Sequence, residues 1–113
     1  MSAVRTRAPA VDRVLQALGD PTRRTMLERL TMRPHSVTHL AEVLGITPTA
    51  VGQHLQILQD AGLARSEKLG RTRTCALDTS GLSMLELWIK GRKSQFERQF
   101  DRLGLMLDED EQG

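Results

Sequence analysis

The sequence predicts a mainly α-helical domain of about five helices with one small β-hairpin. Over most of the 113 residues, apolar side chains recur at intervals of three and four, as they do on amphipathic helices. Only residues 63–77 alternate in the manner of two short strands, and Gly70 and Arg71 provide the turn between them. A long apolar repeat near the C-terminus predicts a last, extended helix that begins near Ser80.

The first two helices are expected to flank a Gly-Asp-Pro turn. Val14, Leu15 and Leu18 are spaced to cover one face of the first helix. Asp20 is placed to cap the second helix and Pro21 to begin it, because proline loses no hydrogen bond at the first helical position.

Two further helices are predicted on either side of a glycine turn. Ser36 is placed to cap the first of them, which Gly45 ends. Thr47 caps the second, Pro48 begins it and Gly62 ends it. Two helices joined by a turn of about three or four residues form a helix-turn-helix, in which the second helix enters the DNA major groove.

The outward face of this second helix, the recognition helix, is polar and carries no charge. Val51, Leu55 and Leu58 are spaced to face the core, which leaves the polar side chains on the other side. Amide side chains can pair with base edges without desolvating an unpaired charge. The predicted DNA-contacting residues here are Thr47, Thr49, Ala50, Gly52, Gln53, His54 and Gln56.

The hairpin that follows is basic. Four basic side chains face a single acid, Glu67, and they are Arg65, Lys68, Arg71 and Arg73. A basic hairpin beside a recognition helix can contact phosphates, which position a protein on DNA without reading its sequence. Helix and hairpin together predict a winged helix-turn-helix; a solvated surface hairpin is the alternative.

Length and composition exclude several classes of protein. The chain makes one domain, and burying additional surface in a dimer would help to stabilise it. No nucleophile beside a base, phosphate-cradling loop or paired-carboxylate motif indicates an enzyme. No apolar run is long enough to span a membrane and no signal peptide is recognisable, so a cytoplasmic protein without membrane contacts is expected.

The net charge of +2 hides an uneven distribution. Four of the fourteen acidic residues lie at 108–111, so the rest of the chain carries sixteen basic and ten acidic side chains, a net charge of +6. The acidic end would oppose the dipole of a helix running into it. We therefore expect a flexible arm at 1–10, a folded domain at 11–107 and an acidic disordered tail at 108–113.

The run from Ala17 to Arg24, Ala-Leu-Gly-Asp-Pro-Thr-Arg-Arg, resembles the opening of the ArsR-type (ArsR/SmtB) winged-helix repressors. The similarity continues through Val51-Gly52-Gln53-His54-Leu55 and Ala61-Gly62-Leu63 to Gly70-Arg71. It implies a homodimeric transcriptional regulator, usually a repressor, that binds operator DNA and leaves it when an effector binds.

The resemblance also implies that the first and last helices form the dimer interface. On the last helix, a stripe of apolar residues repeats every seven positions. A dimer would place two recognition helices about one DNA turn, ~34 Å, apart. Alternatively, both helices only cover their own domain. The predicted dimer residues are Val11, Val14, Leu15, Leu18, Leu82, Leu85, Trp88, Ile89, Phe96, Phe100 and Leu103.

Two features depart from the family pattern. Gly52 stands where relatives usually have serine, so base reading would rest on Thr49, Gln53 and Gln56. Metal-sensing relatives carry cysteine ligands in the helix before the recognition helix, or aspartate and histidine ligands in the last helix; here residues 37–44 contain no cysteine, and residues 81–107 contain neither histidine nor cysteine.

Metal and redox sites are therefore weakly indicated. His35 and His39, four residues apart, are the remaining candidates for Ni or Zn, against surface histidines that bind nothing. Cys75 alternates with apolar neighbours, which favours a buried small residue over a redox switch.

Three hypotheses follow. The leading one is a dimeric DNA-binding repressor that requires no cofactor and responds to a partner protein, a small molecule or its own expression level. The second is a Ni- or Zn-responsive sensor that uses Glu86, Glu97 and Asp101 with a histidine from elsewhere. The third is a winged-helix module that acts through protein contacts and binds DNA weakly.

Overall fold

The computed structural model describes the backbone of residues 10–112 and the side chains of residues 10–109. The predicted fold class is confirmed, since this part of the chain forms five helices and a small antiparallel sheet. In chain order the elements are α1 (Ala10–Leu18), α2 (Pro21–Met32), β1 (His35–Ser36), α3 (Val37–Leu44), α4 (Pro48–Asp60), β2 (Ala64–Leu69), β3 (Thr72–Leu77) and α5 (Ser80–Gln112).

The sheet has three strands rather than the two that were predicted. Its order is β1-β3-β2, and β1 adds two residue pairs, His35 with Cys75 and Ser36 with Thr74. Two residues are too few to show the alternation that identifies a strand. The same Ser36 caps α3 as predicted, because its hydroxyl accepts the His39 N–H at 3.1 Å.

The predicted end of the folded domain is corrected by α5, which continues to Gln112 instead of ending at residue 107. No glycine or proline interrupts residues 105–112, and glutamate is a good helix former. An unfavourable dipole interaction of about 0.3–1 kcal/mol does not outweigh these preferences. Gly113 and residues 1–9, most of the predicted arm, lie outside the described residues.

Asp20 caps α2 as the sequence predicts. Its carboxylate accepts the N–H groups of Thr22 at 2.7 Å and Arg23 at 3.3 Å. Desolvation raises the pKa of this carboxyl, but the two hydrogen bonds and the Arg23 charge together hold the pKa below its ordinary value.

α4 ends in a left-handed glycine, Gly62, with φ 71°. The N–H of Leu63 donates to the Leu58 carbonyl at 2.9 Å, and that of Gly62 donates to the Gln59 carbonyl at 3.0 Å. This pair of bonds is a Schellman motif, which satisfies the last carbonyls of the helix and turns the chain into β2. Gly45, with φ 67°, ends α3 in the same conformation.

The core lies among α1 to α4 and the sheet. Its fully buried members include Val14, Met26, Leu40, Val51 and Leu58. Within the described residues, α5 adds no large apolar side chain to this buried set, and Leu85 packs against its edge. Most of α5 is therefore available for other contacts. No helix within residues 10–112 is both long and apolar enough to cross a membrane.

The start of α5 packs directly on the end of α4. The N–H of Gly81 donates to the Gly62 carbonyl at 2.8 Å, and Ser80 Oγ contacts the same oxygen at 3.2 Å. A Cβ placed on Gly81 would overlap the Ala61 carbonyl oxygen. Only glycine permits this approach of two backbones.

Gly81→Ala is therefore expected to lower the free energy of unfolding by about 1–3 kcal/mol, because the added methyl group must push two backbones apart. Urea denaturation followed by circular dichroism measures the change. Gly91→Ala, in the same helix but with nothing within 4 Å of the added Cβ, is the control and should stabilise the protein. Equal effects of the two substitutions would contradict the contact.

Candidate nucleic-acid interface

The outward face of α4 is exposed and polar, but it is not uncharged as predicted, because Asp60 lies at its C-terminal end and is also exposed. Thr49, Gly52, Gln53 and Gln56 are all exposed on it. Gln56 donates to Asp60 at 2.9 Å, so its amide is already oriented along the helix. Thr47 and Ala50, which are also predicted DNA contacts, have structural roles at the start of α4. Thr47 Oγ1 accepts the Ala50 N–H at 3.1 Å and so caps the helix.

Gly52 lies in the middle of this face. A Cβ at this position would have no heavy atom within 4 Å, and the residue does not adopt a positive φ. The fold itself therefore does not require glycine here. In the absence of DNA, glycine at this exposed position makes the helix less stable than alanine would.

Gly52→Ala is accordingly expected to raise the free energy of unfolding by about 1 kcal/mol. Thermal and urea denaturation measure this change. Gly45→Ala is the matched control, since it also has open space but a φ of 67°, and it should destabilise the protein. A loss of stability for Gly52→Ala would show that the chain needs glycine at this position.

The wing is the hairpin formed by β2 and β3, and its basic side chains lie on both faces of the sheet. Lys68 pairs with Arg73 across the hairpin, and Ser66 pairs with Cys75. Because directly paired residues share a face, Lys68 and Arg73 lie on the face of the sheet that also carries buried Cys75. Arg65 lies on the opposite face, paired with Ala76, so the structure does not bring it together with the other two.

Arg65 has a different electrostatic neighbour. The hydrogen bond from the Ser80 N–H, at 3.0 Å, lowers the pKa of the Asp78 carboxyl; desolvation opposes this effect, and the charge of Arg65 lowers the pKa further. Arg65 is thus near enough to Asp78 to influence its carboxyl. Its role as a phosphate contact stays a prediction.

Arg71 lies at the tip of the wing. Gly70 has a φ of 63°. Among residues 10–112 only glycines have a positive φ, so Arg71, the second residue of the turn, does not have one. A positive φ at only the first of two turn residues is the pattern of a type II′ hairpin turn. The turn leaves the Arg71 side chain exposed at the most distant point of the hairpin.

Two polar residues that sequence reasoning missed connect the wing to α4. Arg73 Nη1 donates to Ser66 Oγ at 2.9 Å, and the Ser66 hydroxyl donates to Gln59 Oε1 at 2.8 Å. The chain of bonds holds the Arg73 guanidinium near the C-terminal half of the recognition helix. Only the register of the hairpin shows this, because Ser66 and Arg73 are diagonal neighbours on paired strands.

The structure engages one ring nitrogen of the two histidines that are the candidate metal ligands, His35 and His39. Their rings stack with centroids 5.1 Å apart and planes 10° from parallel. His35 is buried, and its Nε2 donates to the Arg29 carbonyl at 3.1 Å, so that nitrogen is already engaged. The expectation of two surface histidines is thus wrong for His35. Among the side chains of residues 10–109, no group of three or more His, Cys, Asp or Glu could hold a metal ion.

Cys75 is a buried small residue, as predicted. Its side chain is fully buried in the core, beside the His35 pairing position. Burial raises the pKa of the thiol, against a smaller opposite effect of the Arg73 charge. The thiol is therefore protonated at neutral pH.

The predicted dimer residues separate into two groups. Val14 is fully buried in the protein's own core, which removes it from any interface, and Leu18 and Leu85 pack against that core. Val11 is half-buried. The exposed members are Leu15, Leu82, Trp88, Ile89, Phe96, Phe100 and Leu103. Leu107, which the prediction omitted, extends their stripe and is also exposed.

Comparison with known proteins agrees with this architecture. A sequence profile of the helix-turn-helix domain family matches residues 18–67. The chain is 43% identical over 74 residues to the HTH-type transcriptional regulator Rv2034 of Mycobacterium tuberculosis. The aligned region covers 66% of this chain and 69% of that protein.

Solved structures extend the match to most of the chain. The crystal structure of the ArsR family transcriptional regulator RHA00566 superposes with a TM-score of 0.74 at 32% identity, over 83% of this chain and 97% of that one. The protein belongs to the ArsR family of winged helix-turn-helix transcriptional regulators. An ArsR-like regulator from Rhodococcus sp. RHA1 gives a TM-score of 0.80 at 25% identity, over 88% and 91% of the two chains. The protein is thus a transcriptional regulator with a DNA-binding domain and not an enzyme.

Proposed function

We propose that this regulator is a homodimeric, sequence-specific repressor that reads operator DNA with α4 and holds the DNA backbone with the wing. The main support is the bonded chain from Arg73 through Ser66 to Gln59, which fixes a cationic wing residue relative to the recognition helix. A fixed spacing between base-reading and phosphate-binding groups is what register on DNA requires.

The two elements have different tasks in this proposal. Gln53 and Thr49 are exposed on the outward polar face of α4 and contact base edges. Arg71 and Arg73 lie outside that face and contact phosphates. The protein contributes cations where DNA is uniformly negative and neutral polar groups where the bases differ.

Gln53→Ala is expected to weaken binding to the operator by about 1–3 kcal/mol and to leave binding to random DNA unchanged. Arg71→Ala should weaken binding to both DNAs and reduce the slope of log K against log salt concentration by about 1. Fluorescence anisotropy at several salt concentrations, with an operator selected from a random pool, measures both effects. Equal losses on both DNAs for Gln53→Ala would remove it as a base reader.

The second part of the proposal is the homodimer. Phe96 and Phe100 are 66% and 63% exposed, and their rings stack at 5.9 Å. With Leu103 and Leu107 they form one continuous apolar stripe of α5 that nothing covers among residues 10–109. An apolar surface of this extent is typical of a protein interface, and a second copy of the chain is its proposed occupant.

Phe100→Arg is therefore expected to convert the dimer into a monomer, because it places an unpaired charge within the stripe. Leu105→Arg is the matched control. Leu105 is 64% exposed, but it lies five residues on, about 140° around the helix from Phe100. Analytical ultracentrifugation should show dissociation only for Phe100→Arg. Dissociation of both variants, or of neither, would be incompatible with an interface on this stripe.

The effector of the proposed repressor is a partner protein or a small molecule. A Ni or Zn sensor is a weaker candidate, because His35 Nε2 is bonded to the Arg29 carbonyl. The carboxylates suggested for such a sensor, Glu86, Glu97 and Asp101, are exposed along α5 and belong to no ligand cluster within residues 10–109. As a DNA-binding regulator, the protein is expected to act in the cytoplasm.

A further inference from the structure

The corner between α1 and α2 contains a strongly immobilised arginine. Arg23 Nε donates to the Ala17 carbonyl at 2.7 Å, and Nη2 donates to the Gln16 carbonyl at 3.1 Å. Nη1 lies 3.8 Å from the Asp20 carboxylate, and the Arg23 side chain is only 13% exposed. Three separate partners thus fix the position of the guanidinium group.

This guanidinium also reaches the recognition helix. Nη1 of Arg23 lies 3.3 Å from Nδ1 of His54. Arginine has hydrogen-bond donors and no acceptor, so Nδ1 must be the acceptor and carries no proton. In the neutral imidazole the proton then lies on Nε2. The contact selects one tautomer of His54.

The other ring nitrogen of His54 is left available. Among the side chains of residues 10–109 and the backbone of residues 10–112, Nε2 has no hydrogen-bond partner, and it is not among the buried atoms that lack a partner. The ring is half-buried, so its position is constrained while Nε2 remains accessible to solvent. His54 therefore presents an oriented N–H donor at the surface.

The location of this donor points to its partner. His54 and Gln59, which contacts the wing through Ser66, are five residues apart and lie on opposite edges of the buried stripe of α4. A helix about 10–12 Å across nearly fills a major groove about 12 Å wide. Side chains at its two edges then meet the phosphate-lined walls rather than the bases. The wing would contact one wall of the groove, and His54 lies at the edge of α4 that would face the other wall.

We propose that Arg23 is a positioning residue that holds His54 as the Nε2–H tautomer, and that this N–H donates to a DNA phosphate on the groove wall opposite the wing. The inference rests on the proposed mode of DNA binding and adds a second backbone contact to it. His54 binds as a neutral donor, so it displaces no counterion. Its contribution differs in this respect from those of Arg71 and Arg73.

The first experiment compares two amide substitutions of His54. The amide nitrogen of glutamine can occupy the place of Nε2, whereas that of asparagine reaches only as far as Nδ1. His54→Asn should weaken binding to operator and random DNA alike, on the order of ten-fold, with the salt slope unchanged. His54→Gln should retain most of the affinity. Equal affinities of the two variants, or a reduced salt slope for His54→Asn, would overturn the proposal.

The second experiment observes the tautomer directly. Long-range proton–nitrogen NMR correlations of the free protein should show His54 as the Nε2–H form, and Arg23→Met should produce a mixture of tautomers. Arg24→Met is the control, because Arg24 donates to the Leu18 carbonyl at 2.6 Å and so also caps α1, but has no contact with His54. An Nδ1–H form in the unsubstituted protein, or a tautomer unaffected by Arg23→Met, would refute the role of Arg23.

Failure of the inference can be distinguished from failure of the proposed function. If the unsubstituted protein selects no DNA sequence from a random pool, the mode of DNA binding itself is wrong and the inference falls with it. If the protein binds its operator and His54→Asn binds equally well, only the contact through His54 is wrong. The NMR result bears on the tautomer alone and needs no DNA.

Discussion

The relative positions of all functional elements depend on the backbone junction at Gly62 and Leu63. Gly62 ends the recognition helix in a left-handed conformation, and its carbonyl accepts the N–H of Gly81 at the start of α5. The Leu63 carbonyl accepts the N–H of Asp78 at 3.0 Å, which joins the two ends of the wing. Recognition helix, wing and α5 therefore diverge from one point. These backbone hydrogen bonds join the three elements at one place, so their relative directions are set locally.

Cationic side chains lie around α4 and not on it. The helix presents amides, a glycine and Asp60 outward, whereas Arg73 and Lys68 lie on the wing and Arg23 lies beneath the opposite edge. A cationic side chain on the reading face would bind phosphates of any sequence, which raises affinity without discrimination. Keeping cations at the edges separates the two contributions to binding. The same arrangement explains how a chain with a net charge of only +2 can bind a polyanion.

Sequence reasoning succeeded where the determinant is local. The caps at Asp20, Ser36 and Thr47 and the left-handed glycines depend on residues within four positions of one another, and each was predicted. It failed where a structural feature depends on contacts between residues that are far apart in the sequence. The two residues of β1 have no periodicity of their own, the face of Arg65 depends on strand register, and Arg23 meets His54 across 31 positions. Val14 was assigned to an interface because an apolar stripe alone does not show which side chains face the protein's own core.

The junction also connects the two halves of the proposed activity. In a dimer held by the α5 stripe, each recognition helix is attached to the interface through the contact between Gly62 and Gly81. The separation of the two α4 helices is then a direct consequence of how the two α5 helices pack. A two-fold operator is bound tightly only when that separation matches the half-site spacing of about one DNA turn. A ligand or partner that binds one packing of the α5 helices better than another would change the affinity for DNA without touching the DNA-contacting residues. The difference between its affinities for the two packings supplies the coupling free energy. The exposed length of α5, far from the reading face, is where such an effector would act.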